Sequence, residues 1–453
     1  MHDVSPPKDK ANFIIDPDRP VSICGASAGR SRKPRPFSTH CASSKEWTGL
    51  WSSIRRLDSW LEWNGWAGYD PYDVKGARLW LALTSGQGFA RKIFRTALTR
   101  FEQRFPRLTR SMLRVRPQIN AKAMGLLAHG YLDLYAVTND DGYRRKAESC
   151  LEWLLEHPSP GYSGLCWGYP FDWQSKVFIP KLTPSAVVSS VVGQALWRAS
   201  EVLGDDAYKK ACRSICDFFL SDLNVDELDA ERVCFSYTPL DDFHVHNANL
   251  FCAEFLARVG TAGGEKELLE TAHKAAAYAL SEQNPDGSLY YWGRVQNHYN
   301  PNHIDHYHSG FEIRALYGLW ALTKRPEYCA AAKDYYAFYR ENLLFFDGGA
   351  VIPKMTPANR HPIDIHSCAE AILCNCEIGH LVPQASDLAL RVCQWTIAHM
   401  QNPDHSFAYM LHQRGKSTVR RDMPYMRWGQ AWMLRGLGAV SLGDGQPSSH
   451  LRA

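Results

Sequence analysis

Apolar positions along the chain fall into two kinds of helical segment that alternate. In one kind, apolar residues recur every three or four positions between polar flanks, which predicts helices with one buried face at residues 89–105, 142–156, 207–220, 266–281, 327–342 and 385–400. The other kind is apolar on all sides and rich in alanine and glycine, which predicts buried helices at residues 119–135, 185–202, 247–259, 309–322, 367–379 and 428–440.

The two kinds of helix pair with a period of about 60 residues, so the chain contains six helical hairpins. A single hairpin cannot bury its own apolar face, and a closed ring buries all six. We therefore predict an all-α fold, an (α/α)6 toroid with the apolar helices inside; an open solenoid is the alternative. The toroid domain is expected at residues 43–444, with an additional N-terminal helical segment at 47–83. Residues 1–42 lack apolar periodicity and are expected to be a disordered basic tail.

Charge and composition limit the classes of binding partner and the cellular location that we expect. The 51 basic and 47 acidic residues nearly balance, which argues against a nucleic-acid or anionic-membrane partner for the chain as a whole. No run approaches the roughly 20 apolar residues of a membrane span, and no charged-then-apolar leader opens the chain. The 13 cysteines include no Cys-x-x-Cys pair, which favours reduced, structural thiols. We expect a cytoplasmic protein with no membrane span.

The connections between the helices differ in length in a regular way. An inner helix passes to the next outer helix through a short turn, whereas the return connections are long and rich in aromatic, histidine and aspartate residues. Long loops in a compact domain are usually functional. In a ring they gather around the N-terminal ends of the inner helices, where free backbone N–H groups favour anions. The functional site is predicted at this rim.

Titratable residues recur at equivalent rim positions of neighbouring hairpins. The candidate catalytic residues are Asp305, Asp364, His246 and His308. Aspartate before an apolar helix is also an ordinary N-cap, which is the alternative for both carboxylates. Histidine suits capping less well, and His244, His306 and His366 extend the cluster. Acid/base catalysis, uronate neutralisation and metal binding all use these residue types, but the spacing matches no standard zinc motif. We expect no metal and no cofactor.

Aromatic and cationic residues in the same segments suit the binding of acidic sugar rings. The candidate substrate-binding residues are Asp70, Tyr72, Asp73, Trp173, Lys181, Asn247, Trp292, His366, Tyr425 and Arg427. The alternative is that the rings only seal the loops onto the barrel. A turn at Asp70-Pro71 is the structural minimum for the first of these segments.

A family resemblance rests on particular motifs. The segment Gly-Tyr-Asp-Pro-Tyr-Asp at 68–73, the six hairpins after it and the Gln-Asn-Pro-Asp turns at Gln283 and Gln401 resemble the bacterial VpsJ-like exopolysaccharide-biosynthesis proteins. The resemblance covers nearly all of the chain beyond the N-terminal tail. It implies a role in exopolysaccharide production, within the toroid superfamily of six-hairpin glycosidases, uronate lyases, glucuronyl epimerases and terpenoid cyclases. The chain has no Asp-x-Asp-Asp motif, which argues against terpene cyclisation.

The leading hypothesis is a carbohydrate-active protein that binds and cleaves or modifies an acidic oligosaccharide; a lipid-linked oligosaccharide is one candidate. As a glycoside hydrolase it would place two carboxyl groups on either side of the scissile bond. Asp305 and Asp364 are the preferred pair. Their rivals are Asp70, Asp73, Asp172 and Asp242.

Two alternatives remain open. In a uronate lyase or C5-epimerase, Asn247 and Arg427 would neutralise the substrate carboxylate while His246, His308 or Tyr425 removed the C5 proton. In a non-catalytic glycan-binding subunit of a polysaccharide synthesis complex, the rim would only hold the glycan, in contact with the synthesis machinery.

Overall fold

A computed structural model describes residues 44–84, 89–415 and 417–443. The predicted basic tail lies outside these residues. The described helices are α1 (Ser44–Asn64), α2 (Arg78–Thr84), α3 (Phe89–Arg104), α4 (Pro106–Met112), α5 (Ala121–Thr138), α6 (Asp141–Glu156), α7 (Ala186–Leu203), α8 (Ala207–Asp222), α9 (His246–Gly263), α10 (Lys266–Glu282), α11 (His306–Thr323), α12 (Pro326–Asn342), α13 (Ile365–Ile378), α14 (Gln384–Met400) and α15 (Ala431–Ser441). A 3-10 turn spans Arg294–Tyr299, and a π-helical turn, Met426–Gln430, leads directly into α15.

Six inner helices, α5, α7, α9, α11, α13 and α15, form a closed ring. Each packs on the next, and α15 packs on α5 to close the circle. The outer helices α6, α8, α10, α12 and α14 each pack against the inner helix that precedes them, and α1 packs on α14 and α15. The predicted (α/α)6 toroid is therefore confirmed. None of the helices in the described ranges is long and apolar enough to cross a membrane.

The predicted assignment of the first outer helix is wrong. The helix at 89–105 exists as α3, but it packs against α2 and α4 outside the ring. The sixth outer position belongs to α1, which was expected to be an additional segment. Leu50, Ile54, Leu57 and Leu61 of α1 recur at helical spacing and are at most 2% exposed. Because α1 carries this buried stripe, it contributes to the core, whereas the apolar side chains of α3 face outward.

Local sequence explains why each hairpin turns tightly at one end. Asn139, Gly204, Gly264 and Lys324 end α5, α7, α9 and α11 in the left-handed conformation, and the next helix begins within three residues. The opposite ends of the inner helices begin at side-chain caps. Asn120, Ser185, Asp305 and Asp364 each accept a hydrogen bond from a backbone N–H two or three residues later.

Short antiparallel strands lie in the long connections, on the same side of the ring as these caps. The strands are β1 (Trp173–Gln174), β2 (Phe178–Ile179), β3 (Val225–Glu227), β4 (Val233–Phe235), β5 (Leu344–Asp347), β6 (Ala350–Pro353), β7 (Ile363–Asp364), β8 (Met410–Arg414) and β9 (Ser417–Arg421). β7 pairs with β8 and β8 with β9, so one small sheet joins the connections before α13 and α15.

Charged residues connect the C-terminal halves of the inner helices. Asp133 of α5 accepts hydrogen bonds from Arg198 of α7 at 2.8 Å and from Arg435 of α15 at 2.9 Å. Arg314 of α11 donates to Glu377 of α13 at 2.8 Å, and Arg435 also lies 3.5 Å from Glu377. We call these residues, together with Glu370, which also binds Arg314, the ion network.

The ion network converges on one point inside the ring. The side chain of His129 on α5 is 15% exposed and lies near arginines from four other inner helices, α7, α9, α11 and α15. Burial and the charges of Arg435, Arg198, Arg314 and Arg258 hold the pKa of His129 well below its usual value. The sequence predicts inner helices that are apolar on all sides. The structure shows that they also contact one another through ion pairs.

We predict that Arg435→Met lowers the free energy of unfolding by about 3–5 kcal/mol, because it leaves Asp133 buried beside one arginine instead of two. The matched control is Arg144→Met, whose ion pair with Glu148 is largely exposed, so the loss should be about 0.5 kcal/mol or less. Urea unfolding monitored by circular dichroism measures both. Equal losses in the two variants would contradict a structural role for the ion network.

Candidate functional site

Six aromatic rings form a continuous surface across the N-terminal ends of the inner helices. We call this surface the aromatic rim; it consists of Tyr72, Trp173, Tyr291, Tyr307, His308 and Trp428. The rings of Tyr72 and Trp173 stack with centroids 5.5 Å apart, and the edge of Trp428 meets Tyr72 at 5.4 Å and Tyr307 at 5.6 Å. His308 lies 4.3 Å from Tyr307 and 4.5 Å from Tyr291, measured between ring centroids. All except the buried Trp428 are half-buried, so a flat ligand can reach them.

Two buried ion pairs hold the rim in place. The carboxylate of Asp70 binds the guanidinium of Arg427 through two hydrogen bonds, one of them 2.7 Å long from Nη2. Asp73 lies 2.8 Å from Nη2 of Arg110. Asp70 also accepts a hydrogen bond from the backbone N–H of Tyr72, which fixes the turn that presents this ring. The predicted substrate contacts of Asp70, Asp73 and Arg427 are thus occupied by internal pairing, and the charge of Arg427 is already balanced.

Burial also affects the protonation of this turn. It raises the pKa of Asp73 to about 6, although the charge of Arg110 opposes the shift. The guanidinium of Arg427 lies over the ring of Tyr72, 5.4 Å from the centroid. Asp70, Asp73, Arg110 and Arg427 therefore support the ring of Tyr72 and do not contact a ligand themselves.

Asp305 and His308 form a carboxylate–imidazole pair within the rim. Oδ2 of Asp305 lies 2.7 Å from Nδ1 of His308 and 3.1 Å from Nε2 of His303. Burial opposes ionisation of Asp305, but the positive charges and hydrogen bonds of His308 and His303 outweigh it and lower its pKa well below the usual value. Because an ionised carboxylate can only accept, Nδ1 of His308 carries a proton and donates it to Asp305. The His308 side chain is 20% exposed.

Asp364 lies behind the rim and is fully enclosed. Its carboxyl group caps α13 by accepting the N–H of His366 at 2.8 Å, and the indole Nε1 of Trp428 lies 2.9 and 3.1 Å from its two oxygens. Burial raises the pKa of Asp364 to about 7, although both hydrogen bonds favour ionisation. Asp305 is 3% and Asp364 0% exposed, so the predicted carboxyl pair is present at the rim but enclosed.

A small polar group is buried under the rim. The ring of His366 stacks on Tyr307 at 4.6 Å and lies 4.8 Å from Trp432. No described residue hydrogen-bonds either ring nitrogen of His366. The ammonium of Lys122 lies over Trp432 at 5.4 Å, and burial lowers its pKa to about 7. A buried imidazole with two unpaired nitrogens needs partners from water or a ligand.

Tyrosine hydroxyls converge beside the rim. Burial raises the pKa of Tyr237 well above its usual value, and the proximity of Tyr169, Tyr291 and Tyr72 adds to the increase. The pKa of Tyr307 is raised in the same way by burial, by Asp305 and by Tyr72. These hydroxyls stay neutral and can both donate and accept hydrogen bonds, as the recognition of a sugar requires.

Several predicted site residues are not among the six rings of the aromatic rim. His246 is buried near α10: its Nδ1 lies 2.6 Å from the carbonyl oxygen of Tyr290, and burial lowers its pKa. Asn247, next to it, is buried with no hydrogen bond to Oδ1 from a described residue. Lys181 is exposed and contributes its backbone N–H to Asp172.

Trp292 and Tyr425 have packing partners of their own. Trp292 packs against Phe243 and Tyr299, with ring centroids 5.4 and 5.3 Å apart, and its ring also meets Tyr291 of the rim at 5.0 Å. Tyr425 is buried between Tyr409 and the guanidinium of Arg110. Of the wider histidine cluster, His244 and His306 hydrogen-bond tyrosines of the outer helices α10 and α12.

A cleft of about 670 Å³ opens next to the rim, between the α3–α4 segment and the β8–β9 hairpin. Tyr72 and Tyr409 lie at its inner end, and its walls carry Lys75, Arg104, Arg107, Arg420 and Arg421 against the acidic residues Glu102 and Asp422. Lys75 forms no ion pair with any described residue, and its ammonium lies 4.2 Å from the ring centroid of Tyr72. The cleft is therefore suited to an anionic ligand.

Comparison with solved structures supports the ring architecture. D-mannose isomerase aligns with 89% of this chain and 100% of its own, at a TM-score of 0.58 and 12% identity. A family 76 glycoside hydrolase (mannosidase) from Bacteroides thetaiotaomicron aligns with 87% of this chain and 99% of its own, at 0.56 and 9% identity. An unsaturated glucuronyl hydrolase specific for heparin aligns with 88% and 97%, at 0.54 and 10% identity.

The chain has the toroid fold that these three structures share. At 9–12% identity the likeness shows the fold alone. No protein-family model and no curated protein sequence matches the chain.

Sequence reasoning missed part of the site. Tyr291, Tyr307 and Trp428 were not selected, although each directly adjoins a residue that was: Trp292, His308 and Arg427. Lys122 was hidden within an apolar helix. Within the described ranges, no group of three or more histidine, cysteine, aspartate or glutamate side chains is arranged to hold a metal, and the absence of a metal remains a prediction.

The raised pKa of Asp364 predicts a pH dependence of stability. Between its usual value of 3.8 and about 7, the folded chain keeps the proton and the unfolded chain releases it, so this group's stabilising contribution is lost as pH rises. In Asp364→Asn, which keeps the cap and the acceptor for Trp428, this loss should disappear. Between pH 4 and 7 the wild type should therefore lose on the order of 4 kcal/mol relative to the variant.

The measurement is urea unfolding at several pH values, with exposed Asp206→Asn as the control. Parallel profiles for the wild type and Asp364→Asn would show that Asp364 is ionised in the folded chain.

Proposed function

We propose that this protein is a carbohydrate-active enzyme of exopolysaccharide biosynthesis that moves a proton on an acidic sugar, as a uronate epimerase or lyase. The observation that carries the proposal is the Asp305–His308 pair within the aromatic rim. It supplies an oriented base on a surface suited to a sugar ring.

The composition of the rim supports a sugar ligand. The half-buried Trp173, which stacks on Tyr72 with one face, offers an aromatic ring of the kind that packs against the apolar face of a pyranose ring. The convergent tyrosine hydroxyls offer hydrogen bonds to its polar edge. The structural neighbours are an isomerase named for mannose, a mannosidase and a glucuronyl hydrolase. By analogy, they support a carbohydrate substrate for this chain.

His308 can act as the general base. Its Nδ1–H is held by Asp305, so Nε2 takes the C5 proton of a bound uronate and the resulting imidazolium is stabilised by the carboxylate. The electron pair of the C–H bond passes to the substrate carboxylate. Donation of a proton to the opposite face, from a neutral tyrosine hydroxyl beside the rim or from water, inverts C5, and His308 then releases its proton to solvent. In the lyase reaction the electron pair forms a C4–C5 double bond as the C4–O bond breaks, and the departing oxygen takes up a proton, which leaves an unsaturated sugar.

Residues other than the expected Asn247 and Arg427 bind the carboxylate of the substrate. Because Arg427 is already paired with Asp70, it has little charge left to offer, and the side chain of Asn247 is enclosed, at 3% exposed. Lys75, over the ring of Tyr72 and without an ion pair to a described residue, is better placed to meet a carboxylate. The basic walls of the cleft extend this positive region for the rest of an acidic oligosaccharide.

The enclosure of the two carboxyl groups favours proton transfer over hydrolysis. A glycoside hydrolase needs both groups beside the scissile bond. Here Asp364 is enclosed behind Trp428, and both oxygens of Asp305 already accept hydrogen bonds. A non-catalytic glycan-binding subunit would not need an oriented imidazole.

The biological setting rests on the sequence. The VpsJ-like motifs suggest action during exopolysaccharide assembly, on a lipid-linked or nascent oligosaccharide in the cytoplasm and in contact with the synthesis machinery.

The experiment is incubation in deuterated water with a panel of acidic and neutral exopolysaccharide oligosaccharides. Deuterium at C5 without cleavage identifies an epimerase, and ultraviolet absorbance of an unsaturated product identifies a lyase. New reducing ends without absorbance would contradict proton transfer and restore the hydrolase hypothesis. Binding by calorimetry without any reaction would instead support the non-catalytic subunit.

For the substrate so identified, we predict that His308→Gln lowers kcat by about 10²–10⁴-fold, because the base is lost. Asp305→Asn keeps the helix cap but no longer holds the imidazole as a base, so kcat should fall by about tenfold or more. Asp364→Asn should retain substantial turnover. The control is His399→Gln, an exposed histidine on α14 that lies outside the rim.

Initial rates of deuterium uptake or absorbance change measure these effects. Full turnover in His308→Gln, or a loss confined to Asp364→Asn, would contradict the assigned base.

A further inference from the structure

An exposed apolar stripe runs along α3 and α4. Its large side chains are 36–64% exposed: Ile93, Phe94, Phe101, Phe105, Leu108 and Met112. On α3, Phe94 and Phe101 are two turns apart, and Phe105 follows one turn later with its ring 5.2 Å from that of Phe101. Leu108 and Met112 are one turn apart on α4. Phe94 and Phe101 therefore share one face of α3, and Leu108 and Met112 share one face of α4. Ile93 lies about 100° around α3 from Phe94.

The same segment is strongly basic. Residues 93–116 contain seven arginines and one acidic residue, Glu102. Six of the arginines are exposed: Arg95, Arg100, Arg104, Arg107, Arg114 and Arg116. The carboxylate of Glu102 is bound to the seventh, Arg110, at 3.0 Å. We call these six arginines and the six apolar side chains the basic–apolar surface.

A buried anchor fixes this surface to the ring. Arg110 is 0% exposed and binds Asp73 and Glu102 as well as the carbonyl oxygens of Asp70 and Pro106. Asp70 in turn binds Arg427 in the turn before α15. The surface is thus held beside the aromatic rim by the same ion pairs that position the rim.

We propose that the basic–apolar surface docks on an anionic lipid bilayer. An amphipathic helix with basic residues and exposed phenylalanine, leucine and isoleucine lies in the plane of a membrane, with its apolar side chains at the boundary of headgroups and acyl chains. Arginine side chains beside it attract anionic headgroups. Apolar burial and charge complementarity therefore act together on this one surface.

The other occupants fit less well. An acidic glycan would meet the arginines but has no use for exposed Ile93 and Met112. A second copy of the chain would bury the apolar stripe but would place arginines against arginines. A lipid surface uses both features.

Docking has a consequence for the cleft that rests on the proposed function. Arg104, Phe105, Arg107 and Leu108 belong both to the docking surface and to the wall of the cleft. A docked molecule therefore holds the cleft at the level of the headgroups, where an acidic glycan carried on a lipid enters it directly.

The test is co-sedimentation of the full chain with vesicles of phosphatidylcholine containing about one third phosphatidylglycerol, and with vesicles of phosphatidylcholine alone. Two triple variants avoid the cleft: Arg95→Glu/Arg100→Glu/Arg114→Glu and Phe94→Ser/Phe101→Ser/Met112→Ser. Matched controls change exposed residues elsewhere: Lys210→Glu/Lys333→Glu/Arg340→Glu and Leu155→Ser/Leu240→Ser/Phe346→Ser. Circular dichroism and thermal melting confirm that each variant folds.

We expect the wild type and both controls to bind the anionic vesicles at least tenfold more strongly than the neutral ones. Each surface variant should lose binding at least tenfold. Amide hydrogen exchange of the wild type should slow at residues 93–116 when anionic vesicles are added, which reports the location even if a variant folds poorly.

Three results would overturn the proposal. The first is no binding of the wild type. The second is equal loss in surface and control variants with no local protection at 93–116. The third is a dimer by analytical ultracentrifugation, or tight binding of an acidic polysaccharide, that depends on the surface residues while vesicles are not bound.

Discussion

Arg435 reaches Asp133 at the seam where the last inner helix meets the first, and through Glu377 the same arginine is connected to Arg314 on the opposite side of the seam. Asp133 and Arg435 are buried, so each requires an opposite charge. These ion pairs join the helices that close the ring, and closure brings the six N-terminal ends of the inner helices to one rim. Most of the ion network lies away from that rim, which carries the ligand chemistry that we propose.

At the rim, structural and chemical roles fall on the same residues. Asp305 and Asp364 begin α11 and α13 as N-caps, and each also binds an aromatic ring, His308 in one case and Trp428 in the other. The same cap geometry gives two carboxyl groups of opposite character. The histidines around Asp305 lower its pKa, whereas burial raises that of Asp364. Capping alone therefore does not determine the chemistry; the neighbours of each cap do.

The sequence predicts what depends on local pattern. Helical periodicity and the alternation of short and long connections identify five of the six hairpins and the location of the rim. It does not predict contacts between distant segments. The ion pair of Asp70 with Arg427 joins residues 357 positions apart, and it converts two expected substrate contacts into support for Tyr72. The place of α1 in the ring and the outward position of α3 follow from packing across the closure, which a local hydrophobic pattern does not specify.

The central claim is that a sugar binds on the aromatic rim with His308 as its base. The most direct test is a crystal structure with the acidic oligosaccharide that the panel identifies. The account predicts a uronate ring on the aromatic rim in contact with Trp173, its carboxylate towards Lys75, and C5 about 3–3.5 Å from Nε2 of His308. An oligosaccharide bound with its scissile linkage between Asp305 and Asp364, or bound away from the rim, would contradict the account.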